Sequence, residues 1–153
     1  MPFSRFSIPL LATLLLASAT TVDAEWRVLW RDEFGYTGPP DPDKWNVAKW
    51  PPGRVNDELQ AYTQRPRNLR VEDGKLVIET HFDPDAQPRF SSGRISSKGK
   101  GFSTYGRFEA RIRFPSARGT WSAFWLMPED PSVYGLNKKE GWYWPNCGEI
   151  DIV

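Results

Sequence analysis

Hydrophobic and polar residues alternate along several short stretches of the chain. Trp26, Val28 and Trp30 share one face of an extended segment, with Arg27, Leu29 and Arg31 on the other. From Arg107 to Phe114 the alternation is unbroken, so Phe108, Ala110, Ile112 and Phe114 are expected to face a core, and Arg107, Glu109, Arg111 and Arg113 solvent. Further strands are expected over Asn68–Val71, Leu76–Thr80, Arg94–Ser97, Trp121–Met127 and Gly148–Val153. Asp73-Gly74, between the first two of these, is the dipeptide of a tight hairpin turn. Gly38-Pro39-Pro40-Asp41-Pro42-Asp43 and Pro51-Pro52-Gly53 are loops by composition. No stretch carries a convincing helical period, and no internal repeat, linker or low-complexity tract occurs. Short strands punctuated by 14 Pro and 12 Gly predict an all-β fold, an antiparallel β-sandwich or barrel.

Residues 1–24 stand apart from this pattern. Arg5 precedes an apolar run from Ile8 to Ala19, and Val22-Asp23-Ala24 ends on a small residue, the layout of a secretory signal peptide. The run is shorter than the ~18 residues of a membrane span. A secreted protein, extracellular or periplasmic, is therefore expected, with one domain from Glu25 to Val153. A net charge of +1 offers no electrostatic case for nucleic acid or an anionic membrane. Cys147 is the only cysteine, so no internal disulfide exists, and stability is left to packing or a bound ion. Cys147 reads as a small buried hydrophobe rather than a nucleophile, because the sole histidine, His81, is expected in a loop far away in sequence.

Composition changes the picture at one point. All eight Trp lie after residue 24, and Trp121, Trp125, Trp142 and Trp144 crowd the acidic end of the chain. Large aromatics build cores, but flat rings beside carboxylates also suit sugars, whose C–H faces stack on them. Glu149 and Asp151, two residues apart in a strand, share one face, while Ile150 and Ile152 share the other. Carboxylates ~6–7 Å apart repel, so their ionisation is readily split. Such a pair fits glycosidic-bond chemistry, which needs one nucleophile or base and one acid. Spacing alone is equally compatible with an ordinary solvated strand face.

The stretch Trp144-Pro145-Asn146-Cys147-Gly148-Glu149-Ile150-Asp151-Ile152-Val153 resembles the active-site signature of glycoside hydrolase family 16. Other blocks agree in order: Asp32-Glu33-Phe34, Lys44-Trp45, Asn56-Asp57-Glu58-Leu59-Gln60, Tyr62-Thr63, Asn68-Leu69, Gly74-Lys75-Leu76-Val77-Ile78, Ser92-Gly93-Arg94-Ile95, Tyr105 to Arg111, and Trp121-Ser122-Ala123-Phe124-Trp125. The nearest likeness within the family is to bacterial-type endo-β-1,3-glucanases, the laminarinases. The resemblance implies a jelly-roll sandwich of the concanavalin A type, a substrate cleft on its concave face, and retention of anomeric configuration. It implies Glu149 as nucleophile, with Asp151 hydrogen-bonding near it and tuning its ionisation. The family's acid/base is a second Glu beyond this strand. On that reading the sandwich is incomplete at the C-terminus and the polypeptide to Val153 is inactive by itself. Val153 after Ile152 matches the subgroup whose strand carries a bulge, a mark of the β-1,3 side.

With it come Asn56, Arg94, Trp121, Trp125 and Trp144 as sugar-binding positions, and Glu33 with the Gly74 carbonyl as part of a structural calcium site on the convex face. No cofactor is implied for the chemistry. The implied partner is a β-glucan chain, bound by a monomer. Asp57 stands where relatives often carry Asn. Two further readings stay open, a non-catalytic β-glucan-recognition protein and a transglycosylase on the same fold.

Overall fold

A computed structural model of the chain describes residues 25–130 and 144–153. The expected leader, residues 1–24, and Trp142 lie outside the described residues. Those described form nine short strands and no helix: β1 Asn46–Val47, β2 Gln60–Tyr62, β3 Leu69–Glu72, β4 Lys75–Ile78, β5 His81–Phe82, β6 Phe90–Ser92, β7 Ile95–Ser96, β8 Trp125–Leu126 and β9 Ile150–Asp151. β1 pairs with β7, β3 with β4 and β8 with β9, all antiparallel, and β6 lies between β2 and β5.

The β3–β4 hairpin follows directly from the sequence. Asp73 and Gly74 both take positive φ, 50° and 69°, as a two-residue primed turn requires, and Asp and Gly tolerate this best. Glu72 then pairs with Lys75 and Leu69 with Ile78. Period two does the rest: Leu69 and Val71 are buried at 2% and 1% exposure, while Arg70 and Glu72 are only half-buried. Arg70 binds Glu72 at 2.8 Å and Glu79 at 2.9 Å along the hairpin surface.

Two polar side chains fasten the loops, Asn68 beside the hairpin and Asp32 within the first loop. Asn68, wholly buried, donates to the Glu79 carbonyl (3.0 Å) and Ser91 Oγ (3.1 Å) and accepts from Thr63 Oγ1 (2.7 Å). Gly93 passes so close that a Cβ there would sit 3.0 Å from the Asn68 carbonyl oxygen. Asp32, with its side chain 2% exposed, accepts from the Phe34 amide, Tyr36 hydroxyl, Lys44 ammonium and Trp45 indole. Burial raises the Asp32 pKa, yet these four donors together outweigh it and hold the carboxylate below its usual range. Trp45 in turn meets Trp30 edge-on at 5.0 Å and Phe34 face-on at 6.2 Å.

Several expectations fail locally. Trp26–Arg31 and Arg107–Phe114 form no ladder among the described residues, and Trp26, Val28 and Phe114 are exposed. Alternation assigns faces to an extended segment, but a strand also needs a neighbour to accept its hydrogen bonds, and none is supplied here. His81 belongs to β5 rather than a loop, its imidazole against the Arg67 carbonyl. Pairing is not wholly antiparallel either, since β2 runs parallel to β6. The long connection between them, which carries the hairpin and β5, lets the chain return in the same direction. Cys147 is buried, at 4% exposure, as its hydrophobic reading requires.

Candidate functional site

β8 and β9 bring the aromatic and acidic segments together. Trp125 pairs directly with Asp151, and Leu126 with Ile150, so Trp125 and Asp151 rise from one face of the ribbon. Glu149 lies just before β9, two residues from Asp151. Both carboxylates are exposed to solvent. Beyond Asp151 the ladder is irregular. The Phe124 carbonyl accepts from both the Ile152 and Val153 amides, at 2.9 and 3.1 Å, while the Phe124 amide donates to the Val153 carbonyl. Two residues thus oppose one, which is a β-bulge. In keeping with it, Ile152 and Val153 both line a hollow of about 250 Å³ with Phe124, Phe108, Ile112 and Phe114. Phe108, Ala110, Ile112 and Phe114, expected to face a core, line this hollow, but so does Glu109, expected on the solvent face, and residues 107–114 are all exposed.

Arg94 joins the carboxylate face to the loops. Its guanidinium carbon lies 5.0 Å from the Trp125 ring centre, 4.7 Å from Trp50 and 5.7 Å from Tyr62. Arg54 lies 4.8 Å from Trp50, and Trp50 meets Tyr62 edge-on at 6.0 Å. The Tyr62 hydroxyl donates to Glu58 (2.8 Å) and accepts from the Gln60 amide (3.0 Å). Burial, and next the Glu58 carboxylate, push the Tyr62 phenol above its usual pKa, with Gln60 and Arg94 pulling the other way. A planar cation held among three rings (Trp50, Tyr62 and Trp125) offers fixed donors for hydroxyl groups beside flat apolar surface.

Arg94, Trp125 and Asp151 are thus brought together, and Glu149 lies just before the strand that carries Asp151. Asn56 is exposed at the tip of a turn closed by Glu58 N–H to Val55 C=O, 3.1 Å, in which Asn56 and Asp57 both have φ near 50°. Asp tolerates that conformation as Asn does, so Asp57 is no misfit there. Trp121 and Trp144 are 75% and 50% exposed, and neither makes a ring contact with another described residue. Trp50, Arg54, Glu58 and Tyr62 escaped the sequence reading as site residues. Their signal was the interleaving of Trp, Arg and Tyr around the loop Pro51-Pro52-Gly53.

Glu33 is exposed and Gly74 lies in the hairpin turn; reciprocal backbone hydrogen bonds between Gly38 and Val71 link their two segments. One carboxylate and one carbonyl fall short of the 6–8 oxygens calcium takes, and no group of three His, Cys, Asp or Glu poised for a metal exists among the described residues. These two residues alone do not make a calcium site.

Residues 56–152 match glycosyl hydrolases family 16. The chain belongs to that family. It is 46% identical over 129 residues to a β-glucanase of Rhodothermus marinus, an alignment covering 84% of this chain and 43% of that protein. The X-ray structure of the laminarinase from Rhodothermus marinus superimposes with a TM-score of 0.75 at 45% identity, over 84% of this chain and 49% of that one. A non-specific endo-β-1,3(4)-glucanase of family 16, co-crystallised with 1,3-β-D-cellotriosyl-glucose, gives 0.65 at 32% identity, over 84% and 50%. The chain thus spans about half the length of these relatives. Its fold is that of family 16, an antiparallel β-sandwich of jelly-roll type. Among the described residues no helix is long and apolar enough to cross a membrane.

Proposed function

We infer that the protein hydrolyses β-glucans as a retaining endo-β-1,3-glucanase. The observation that carries this reading is the Trp125–Asp151 pairing, which sets the Glu149–Asp151 face beside the Arg94 cluster. In the double displacement, Glu149 attacks the anomeric carbon and the glycosidic C–O bond breaks as the leaving oxygen takes a proton from a general acid. Water, giving a proton to the group that acted as acid, then attacks the anomeric carbon from the face opposite Glu149, the bond to Glu149 breaks, and the original configuration returns. Asp151 supports the ionised Glu149. Arg94, Trp125, Trp121, Trp144 and Asn56 bind the chain of glucose units through stacking and hydroxyl hydrogen bonds. No residue from Glu25 to Val153 is assigned as the acid.

The bulge at Ile152–Val153 supports the β-1,3 assignment, and the names of the Rhodothermus relatives support β-glucan as substrate. Secretion after removal of residues 1–24, a monomeric state, and a structural calcium at Glu33 and the Gly74 carbonyl completed by further oxygen ligands belong to the same reading. The chemistry itself needs no cofactor.

The test is Glu149→Gln in the full-length protein. Release of reducing sugar from laminarin is expected to fall at least about a thousandfold, as loss of a covalent nucleophile implies, while laminarin binding persists. Unchanged hydrolysis would remove Glu149 from this role. Lichenan, agarose and carrageenan assayed beside laminarin establish the linkage.

A further inference from the structure

On the other side of β2 lies a second hollow, about 100 Å³ in volume, walled by Arg65, Arg67 and Arg89 with Asp83 and the Gln87 amide. Tyr62 reaches the Arg94 cluster, whereas its neighbours Ala61 and Thr63 line this hollow. Successive strand residues point to opposite faces, so the two sites are separated by the sheet.

The charge is unusual for this chain. Its whole sequence nets +1, yet three arginines and one aspartate meet at one small depression. None of the three guanidiniums has a hydrogen-bond or ion-pair partner among the described residues, although carboxylates are near in sequence. Glu72 and Glu79 are taken by Arg70, and Asp83 Oδ1 accepts from the Asp85 amide. Three guanidiniums beside the single carboxylate of Asp83 leave the hollow with an excess of positive charge, which an anion relieves. Guanidinium forks match the oxygens of a planar or tetrahedral oxyanion, often two at a time. The volume is well below the ~300 Å³ of pockets that engulf a small molecule, so it takes one substituent of a larger ligand.

We propose that Arg65, Arg67 and Arg89 form an accessory site for an oxyanion substituent, a sulfate ester or a carboxylate, of an acidic polysaccharide. No aromatic ring lines the hollow, unlike a surface on which nucleic-acid bases stack. The site stands independently of the hydrolytic reading, since it lies across the sheet from the carboxylates.

The test compares the full-length protein with two triple variants of equal charge change: Arg65→Gln/Arg67→Gln/Arg89→Gln, and a control, Arg111→Gln/Arg113→Gln/Arg118→Gln. Binding is measured by calorimetry at low salt to a sulfated galactan oligosaccharide, an oligouronate, inorganic sulfate and duplex DNA. Laminarin hydrolysis and circular dichroism report an intact fold. The expected result is that the first triple weakens binding to the sulfated or the uronate oligosaccharide by at least about tenfold, the scale of one lost charge-assisted bond. The control retains affinity and hydrolysis is unchanged in both. Preference between the two oligosaccharides identifies the substituent. Should the triple variant lose its fold, single Arg65→Gln, Arg67→Gln and Arg89→Gln variants carry the comparison. Equal weakening in both triples, absence of binding in the wild type, or binding to DNA alone would overturn the proposal.

Discussion

Replacing Asp32 by Asn isolates the polar node that holds the first loop. Asp32 is acceptor to four donors from Phe34, Tyr36, Lys44 and Trp45, at 3.0, 3.1, 3.4 and 2.8 Å, with its side chain almost wholly out of water. An amide keeps one acceptor oxygen and turns an NH₂ toward groups that are themselves donors. Hydrogen bonds to a charged group contribute ~1.5–3 kcal/mol each. Losing two of them, with donor set against donor, costs about 3–6 kcal/mol, at least a fifth of the roughly 5–15 kcal/mol of a typical domain. Urea unfolding followed by tryptophan fluorescence measures the difference, and Trp45 is itself a reporter.

The pH dependence has a definite sign. The folded pKa is held below the usual carboxylate range because hydrogen bonding outweighs burial. A depressed carboxylate adds stability that is complete above the unfolded value, ~3.9, and lost as pH falls through the folded one. The gap between wild type and Asp32→Asn is therefore constant from pH 7 to about pH 5 and narrows below about pH 4. A gap under about 1 kcal/mol at pH 7, or one that widens on acidification, would refute this account.

Gly101→Ala places a methyl 2.6 Å from the Trp30 indole, so overpacking is expected to cost about 1–3 kcal/mol; Gly35→Ala, with no neighbour within 4 Å, is the control with no packing loss in the same urea titration. Arg94→Lys keeps the charge but loses the flat guanidinium among Trp50, Tyr62 and Trp125. Its KM for laminarin should rise about tenfold with kcat changed less, the scale of ~1–2 kcal/mol of cation–π and bidentate binding. A fall in kcat at unchanged KM would contradict a binding role.

What was legible in the sequence is what local physics decides. Asp73-Gly74 determines its own turn because few residues tolerate two successive positive φ values, and Leu69 and Val71 follow by alternation. Pairing partners were not: β1, β2, β5 and β6 are two or three residues long, too short for a period, and they exist because distant backbone meets them. Asp32 and Trp50 illustrate the same limit. Asp32 read as one residue of a block and Trp50 had no role in the sequence reading; each became a node only when a loop returned to it. Glu149 and Asp151 were visible as a pair, but their assignment to chemistry came from family resemblance rather than spacing.

The bulge resolves a conflict within that last strand. Strict alternation from Asp151 would put Ile152 toward the apolar hollow and Val153 beside Asp151 and Trp125, an apolar residue on the polar face. Because the Phe124 carbonyl takes both amides, Val153 joins Ile152 against Phe108 and Phe114 instead. The register is guarded from both sides. A slip of one residue exchanges the faces of a strand, which would turn Glu149 and Asp151 toward Phe124 and Ile112 and expose Ile150 and Ile152 to the Arg94 cluster. Carboxylates set among these rings, without donors, would lose part of the hydration they keep on the exposed face. The carboxylates thus enforce the register that the apolar residues select, and an extra residue is accommodated by the bulge without moving Asp151 off the face it shares with Trp125.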